Sequence, residues 1–101
     1  MTIIKMSDGM IVNTKNARII WEQAQDYDGK QFIGRCTRSN SAEQTLMKSR
    51  RGRYYVVRSH GPRDNQSSAE WVSHEEAVRW LTLNDYDVPE DLEDLLEKLT
   101  D

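Results

Sequence analysis

A lone thiol and two imidazoles are the side chains of this sequence best suited to covalent chemistry. A hydrolase needs a nucleophile, a base and an orienting group brought together in space. Cys36 with His60 or His74 is the available thiol pairing, and none of the three sits in a recognised nucleophile signature. The expectation is an ordinary half-buried cysteine on a strand and two surface histidines. A metal centre needs three or four ligands of suitable type and spacing. His74-Glu75-Glu76 lacks a second histidine four residues on, and the acids Asp85, Asp87, Glu90 and Asp91 lack the alternating ladder and central glycine of a calcium loop. Gly52 and Gly61 are isolated and neither opens a helix, so no phosphate-cradling loop is expected. No catalytic residue, metal or cofactor follows from these residues, and the chain reads as a non-enzyme.

Binding chemistry is better represented. Lys48, Arg50, Arg51, Arg53, Arg58 and Arg63 gather around one turn, with Tyr54 and Tyr55 between them. A two-stranded ribbon with arginine at its tip can enter a groove or track phosphates, and a nearby aromatic ring can stack on a base. Strand alternation sends Arg53 and Tyr55 to one face and Tyr54 and Arg58 to the other, so not all of them can meet one ligand. The expected macromolecule-binding set is Lys48, Arg50, Arg51, Arg53, Tyr55, Arg58 and Arg63. A competing reading is that the charge keeps an edge hairpin soluble and pairs with the acidic end of the chain.

Charge is divided along the chain. Residues 1–63 hold 12 Lys/Arg against 5 Asp/Glu, a net of +7, and residues 64–101 hold 2 against 12, a net of −10. Between residues 30 and 63, nine basic residues face Glu43 alone. The overall pI of 5.4 is far below the basic footprint usual for nucleic-acid binders, which favours the solubilising role of the hairpin's charge over nucleic-acid binding.

These residues must be positioned by strands first and helices last. Thr2 to Met6 and Met10 to Val12 flank Ser7-Asp8-Gly9 and read as a hairpin. Residues 17–24 fit either a strand or a helix capped by Thr14, and Ile19-Ile20-Trp21 tips the choice to a strand. A turn is expected at Asp26 to Gly29, a strand over 31–36, a loop at 38–41, and a strand over 43–48. A tight turn at Arg50-Arg51-Gly52 leads into the most convincing strand, 53–59. Residues 60–68 form a loop. Ser73 and Glu76 then make an S-x-x-E capping box for a helix running to Asn84, a candidate left-handed stop. Pro89 opens a second helix, with Leu92, Leu95, Leu96 and Leu99 on one face and Glu90, Asp91, Glu93, Asp94 and Glu97 on the other. The expected core comprises Trp21, Tyr55, Val57, Trp71, Trp80, Leu81, Leu92, Leu95 and Leu99.

With 101 residues, 37% apolar and 31% charged, the chain suits one domain over 1–101, strand-rich over 1–72 and helical over 73–99. No apolar run can span a bilayer and no signal peptide is expected, since Met1 to Gly9 include Lys5 and Asp8. The single cysteine, Cys36, cannot form an intramolecular disulfide and fits a reducing cytoplasm. Dimerisation would help a core of this size, although no residue demands it.

Gly52-Arg53-Tyr54-Tyr55, Trp71-Val72-Ser73, Glu75-Glu76-Ala77, Trp80-Leu81 and Pro89-Glu90-Asp91-Leu92 resemble a pattern in small uncharacterised bacterial proteins carried by plasmids and phages. The resemblance spans the second half of the chain. It implies a β-meander-plus-helix domain of bacterial or mobile-element origin and supplies no catalytic residues. The reading is thus an α+β fold: an antiparallel meander of four to six strands with one or two C-terminal amphipathic helices. Its expected function is a non-enzymatic interaction or regulatory module that binds another protein, with nucleic-acid binding through the arginine hairpin second and an enzyme a distant third.

Overall fold

Apolar residues that alternate along one strand can serve two cores if both faces of that strand are covered. Tyr54, Tyr55 and Val56 are buried in succession, and the layers around them are built to cover both faces. The computed structural model describes residues 3–6, 8–38, 42–59 and 68–100. In chain order these form β1 (Ile3–Lys5), β2 (Ile11–Asn13), a 3-10 turn (Thr14–Asn16), β3 (Ile19–Glu22), β4 (Gln25–Tyr27), β5 (Phe32–Gly34), β6 (Glu43–Lys48), β7 (Tyr54–Ser59) and β8 (Ser68–Val72). Helix α1 (His74–Leu83), a second 3-10 turn (Glu90–Leu92) and helix α2 (Glu93–Leu99) complete the chain. The fold is α+β, and every strand pairing is antiparallel.

The central sheet has the order β3-β6-β7-β8. Pairing of Trp21 with Leu46, Leu46 with Val56, and Lys48 with Tyr54 and Tyr54 with Val72 fixes one face. That face packs Leu46, Tyr54 and Val56 against Ala77, Val78, Trp80 and Leu81 of α1 and against Leu92. The other face carries Met47, Tyr55 and Ala69, which pack against Ile4, Met6 and Val12 of the β1–β2 hairpin. Helices therefore cover one side of the sheet and a hairpin covers the other. No helix among the described residues is long and apolar enough to cross a membrane.

Local chemistry explains the boundaries. Ser73 Oγ accepts from Glu76 N–H at 3.1 Å and Glu76 Oε1 accepts from Ser73 N–H at 3.3 Å, which is the expected capping box. The β6–β7 hairpin closes through Ser49 N–H to Arg53 C=O at 2.7 Å, with Gly52 at φ +87. A three-residue loop needs a left-handed residue at that place, and glycine meets the need without a Cβ penalty.

Several expectations shift. The described residues hold eight strands rather than four to six, since β4 and β8 add to those read from the sequence, and two hairpins, β1–β2 and β4–β5, pair only within themselves. Asp26 and Tyr27 belong to β4, not a turn; the turn is held one step later by Asp28, whose Oδ1 accepts from Lys30 and Gln31 N–H, both at 2.9 Å. Strand β8 begins at Ser68, the last residue of the expected loop, whereas 60–67 lie outside the described residues, as do Ser7 and 39–41. Asn84 closes α1 with φ −97, and the left-handed conformation falls on Asp85 at φ +63. Pro89 precedes a 3-10 turn rather than opening α2 directly. The leucine stripe is buried only in part: Leu92 is sealed, Leu95 and Leu96 pack half-buried against the core, and Leu99, the last residue of α2, is 37% exposed.

Candidate functional site

The basic residues expected to act together are separated by the fold. Lys48 Nζ lies 3.1 Å from Asp91 Oδ2, and Tyr54 Oη donates to the same carboxylate at 3.0 Å. Asp91 is thereby held below the ordinary carboxylate range: burial alone would raise it, but the Lys48 and Tyr54 contacts outweigh that. Burial, with Asp91 as an additional cause, pushes the Tyr54 phenol well above its usual value. Arg58 pairs with Glu70 across β7–β8 at 2.8 Å. Arg53 lays its guanidinium 3.7 Å from the centre of the Trp71 ring, a cation–π contact. Arg63 lies outside the described residues.

Tyr55 corrects the stacking expectation. It is only 1% exposed, and burial raises its phenol pKa. Its ring meets Trp71 edge-on at 5.7 Å and 83°. The hairpin β1–β2 covers this face of the sheet, so Tyr55 is a core residue and does not offer a flat ring to a base.

Arg50 and Arg51 remain exposed at the turn, with no ion pair among the described residues. They stand beside a groove of about 330 Å3 between the β1–β2 hairpin and the β6–β7 turn. Ile3, Met10 and Ile11 supply its aliphatic surface, and Arg50, Arg51 and Arg53 its cationic wall. Ile3 is 63% exposed, Met10 45% and Ile11 68%. Asp8 sits near the Arg53 end. Its carboxylate accepts from Met10 N–H at 3.0 Å, which holds it below the ordinary range, with the Trp71 indole and the Arg53 charge adding to the effect. The Trp71 Nε1 is itself buried and has no hydrogen bond of standard geometry.

The aliphatic part of this groove was not legible as a site, although a signal exists. Ile3-Ile4 and Ile11-Val12 are adjacent apolar pairs on strands, and neighbours on a strand face opposite ways. Ile4 and Val12 enter the core, so Ile3 and Ile11 must face out.

Among the described residues, Cys36 and His74 have different neighbours. Cys36 Sγ accepts from Asn84 Nδ2 at 3.3 Å, while His74 packs edge-on against Tyr54 at 5.5 Å between centroids. His60 lies outside the described residues. Among the described residues no group of three or more His, Cys, Asp or Glu could hold a metal. Comparison with known proteins found no matching family model, no matching curated protein and no matching solved structure.

Proposed function

We propose that the protein is a non-catalytic binding module that takes a segment of another protein into the groove between the β1–β2 hairpin and the β6–β7 turn. The observation that carries this is the exposure of Ile3, Met10 and Ile11 beside Arg50 and Arg51, which have no acidic partner among the described residues. Exposed apolar surface rimmed by charge is what a protein interface presents. The partner segment accordingly combines apolar and acidic side chains. The half-buried Cys36 thiol suits a reducing compartment, and action in the cytoplasm goes with this reading.

Nucleic-acid binding through Arg50 and Arg51 is the second reading. Its support is the exposed cationic turn, but the aromatic rings nearest to it are engaged, Tyr55 in the core and Trp71 beneath Arg53. A stacking platform needs a free ring face.

Selection from a displayed peptide library against the folded protein tests the proposal. Enriched peptides should be acidic and apolar, should bind the wild type, and should lose about tenfold or more in affinity to Ile11→Asp. Enrichment of nothing, or of peptides indifferent to Ile11→Asp and Arg51→Glu, would remove the reading.

A further inference from the structure

The edge of β2 bears on how such a segment docks. Met6 N–H donates to Met10 C=O at 2.7 Å, so these two residues form a hydrogen-bonded pair at the end of the hairpin. Pairs in an antiparallel ladder alternate between hydrogen-bonded and non-hydrogen-bonded. The register continues with Lys5 opposite Ile11, Ile4 opposite Val12 and Ile3 opposite Asn13. Val12 therefore turns its N–H and C=O inward to Ile4, whereas Ile11 and Asn13 turn theirs to the outer edge. The Asn13 carbonyl is drawn into the 3-10 turn that Asn13 caps, since a cap residue's carbonyl accepts the first bond of the turn. The Ile11 N–H and C=O and the Asn13 N–H are left with no partner among the described residues. An exposed strand edge is a template for a further strand.

Ile11, Val12 and Asn13 line the same groove as Arg50, Arg51 and Arg53. We infer that the groove binds its partner by strand addition: an extended acidic segment of another protein pairs with the β2 edge and becomes a third strand of the β1–β2 layer. This rests on the proposed function and adds the partner's conformation and charge. Strand addition draws affinity from main-chain hydrogen bonds and specificity from alternate side chains. The added strand would lie roughly 4.8 Å from β2. One set of its side chains would rest over Ala17 and Trp71, and its carboxylates would meet Arg50 and Arg51. Three arginines and no carboxylate line the groove, so the complementary segment is acidic rather than basic.

The test uses the isotope-labelled full chain and an end-blocked peptide of about eight residues that alternates aspartate and valine, the strand periodicity. Two further versions carry N-methyl groups on the even or on the odd backbone amides. Expected is that the parent peptide shifts the Ile11 and Asn13 amide resonances and slows their hydrogen exchange. One N-methyl version should lose binding and the other keep it, because only one set of amides faces β2. A peptide alternating lysine and valine should bind about tenfold or more weakly, and Arg50→Glu with Arg51→Glu should abolish that preference.

Equal binding of both N-methyl versions would overturn strand addition while leaving groove binding in place. No shift of Ile11 or Asn13 at about millimolar peptide would overturn it as well. Protection of the same two amides by self-association in the free protein would make a second copy the occupant, and an equal response to single-stranded DNA would make the groove a nucleic-acid site; either contradicts the inference. The library selection judges groove binding by side chains alone, so it can succeed where strand addition fails.

Discussion

Gln23 shows how one buried side chain fixes the chain around it. It is nearly sealed, accepts from Cys36 N–H at 3.2 Å, and donates to Ala42 C=O at 3.2 Å and to Thr37 Oγ1 at 3.4 Å. A Cβ at Gly34 would collide with its amide. The bonded amide cannot swing away freely, so Gly34→Ala should cost about 1–3 kcal/mol in urea unfolding. Gly34→Ala combined with Gln23→Ala should be less destabilised than the sum of the two, because the collision is shared. Gly34 carries no sequence mark of this role, since the requirement comes from a residue eleven positions earlier.

Asp91 is the second residue with a measurable role. Its folded-state pKa is lowered from 3.8, and Asp8, Asp26 and Asp28 are lowered likewise. A carboxylate depressed by folding contributes stability that is fully present above its unfolded value and is lost as pH falls through the folded value. Stability should therefore be flat near neutrality and decline once the pH drops below about 4. Asp91→Asn should make that acid decline shallower. Tyr54→Phe should cost about 1 kcal/mol at neutral pH, the net worth of one hydrogen bond. Chemical denaturation across a pH series reads both.

At the scale of elements, α1 is held at each end by a different device. Its start relies on the capping box, legible as Ser73 with Glu76 three residues on. Ser73→Ala should cost about 1 kcal/mol, seen as a lower denaturation midpoint. Its end relies on Asn84, whose Oδ1 accepts from Ala24 N–H at 2.8 Å and whose Nδ2 donates to Trp80 C=O at 2.8 Å. Asn84→Ala should cost more than Ser73→Ala, about 2–3 kcal/mol, because it strands a backbone N–H in a part-buried position. The cap was readable because both partners lie within four residues. The Asn84 bond to Ala24 spans sixty positions and leaves no local pattern.

The same distinction governs the strands. The β6–β7 hairpin was legible from Arg50-Arg51-Gly52 between aromatic and aliphatic runs. Strand β4 was hidden because Gln25-Asp26-Tyr27 has turn composition. Tertiary contacts fix it: Arg35 binds Asp26 at 2.9 Å, and also Asp85 at 2.9 Å and the Leu83 carbonyl at 2.8 Å. One arginine thus ties the β4–β5 hairpin to the end of α1, and its pairing with Asp26 and Asp85 raises its own pKa.

For the whole molecule, the division of charge along the chain is partly resolved by folding. Lys48 meets Asp91 and Arg58 meets Glu70, so basic residues of the strand half neutralise acids of the second half. Among the described basic residues without an ion pair, Arg50 and Arg51 stand at the turn, beside an aliphatic surface on the opposite face of the sheet from the helices. The sequence shows the arginines and their turn. It places Tyr55 both in the core and in the binding set, and only the structure decides for the core; that Ile3 and Ile11 stand beside the arginines depends on which sheet face the first hairpin covers.

The proposed function requires this surface to recognise protein rather than nucleic acid. Its most direct test is the salt dependence of binding to a random single-stranded DNA, measured on the same protein sample as a library-selected acidic peptide. Expected is peptide binding that shifts Ile3, Met10 and Ile11 resonances, with DNA leaving them unmoved at about 50 mM salt. DNA binding that weakens steeply with salt and disappears in Arg50→Ala with Arg51→Ala, alongside a peptide that leaves Ile11 undisturbed, would contradict it.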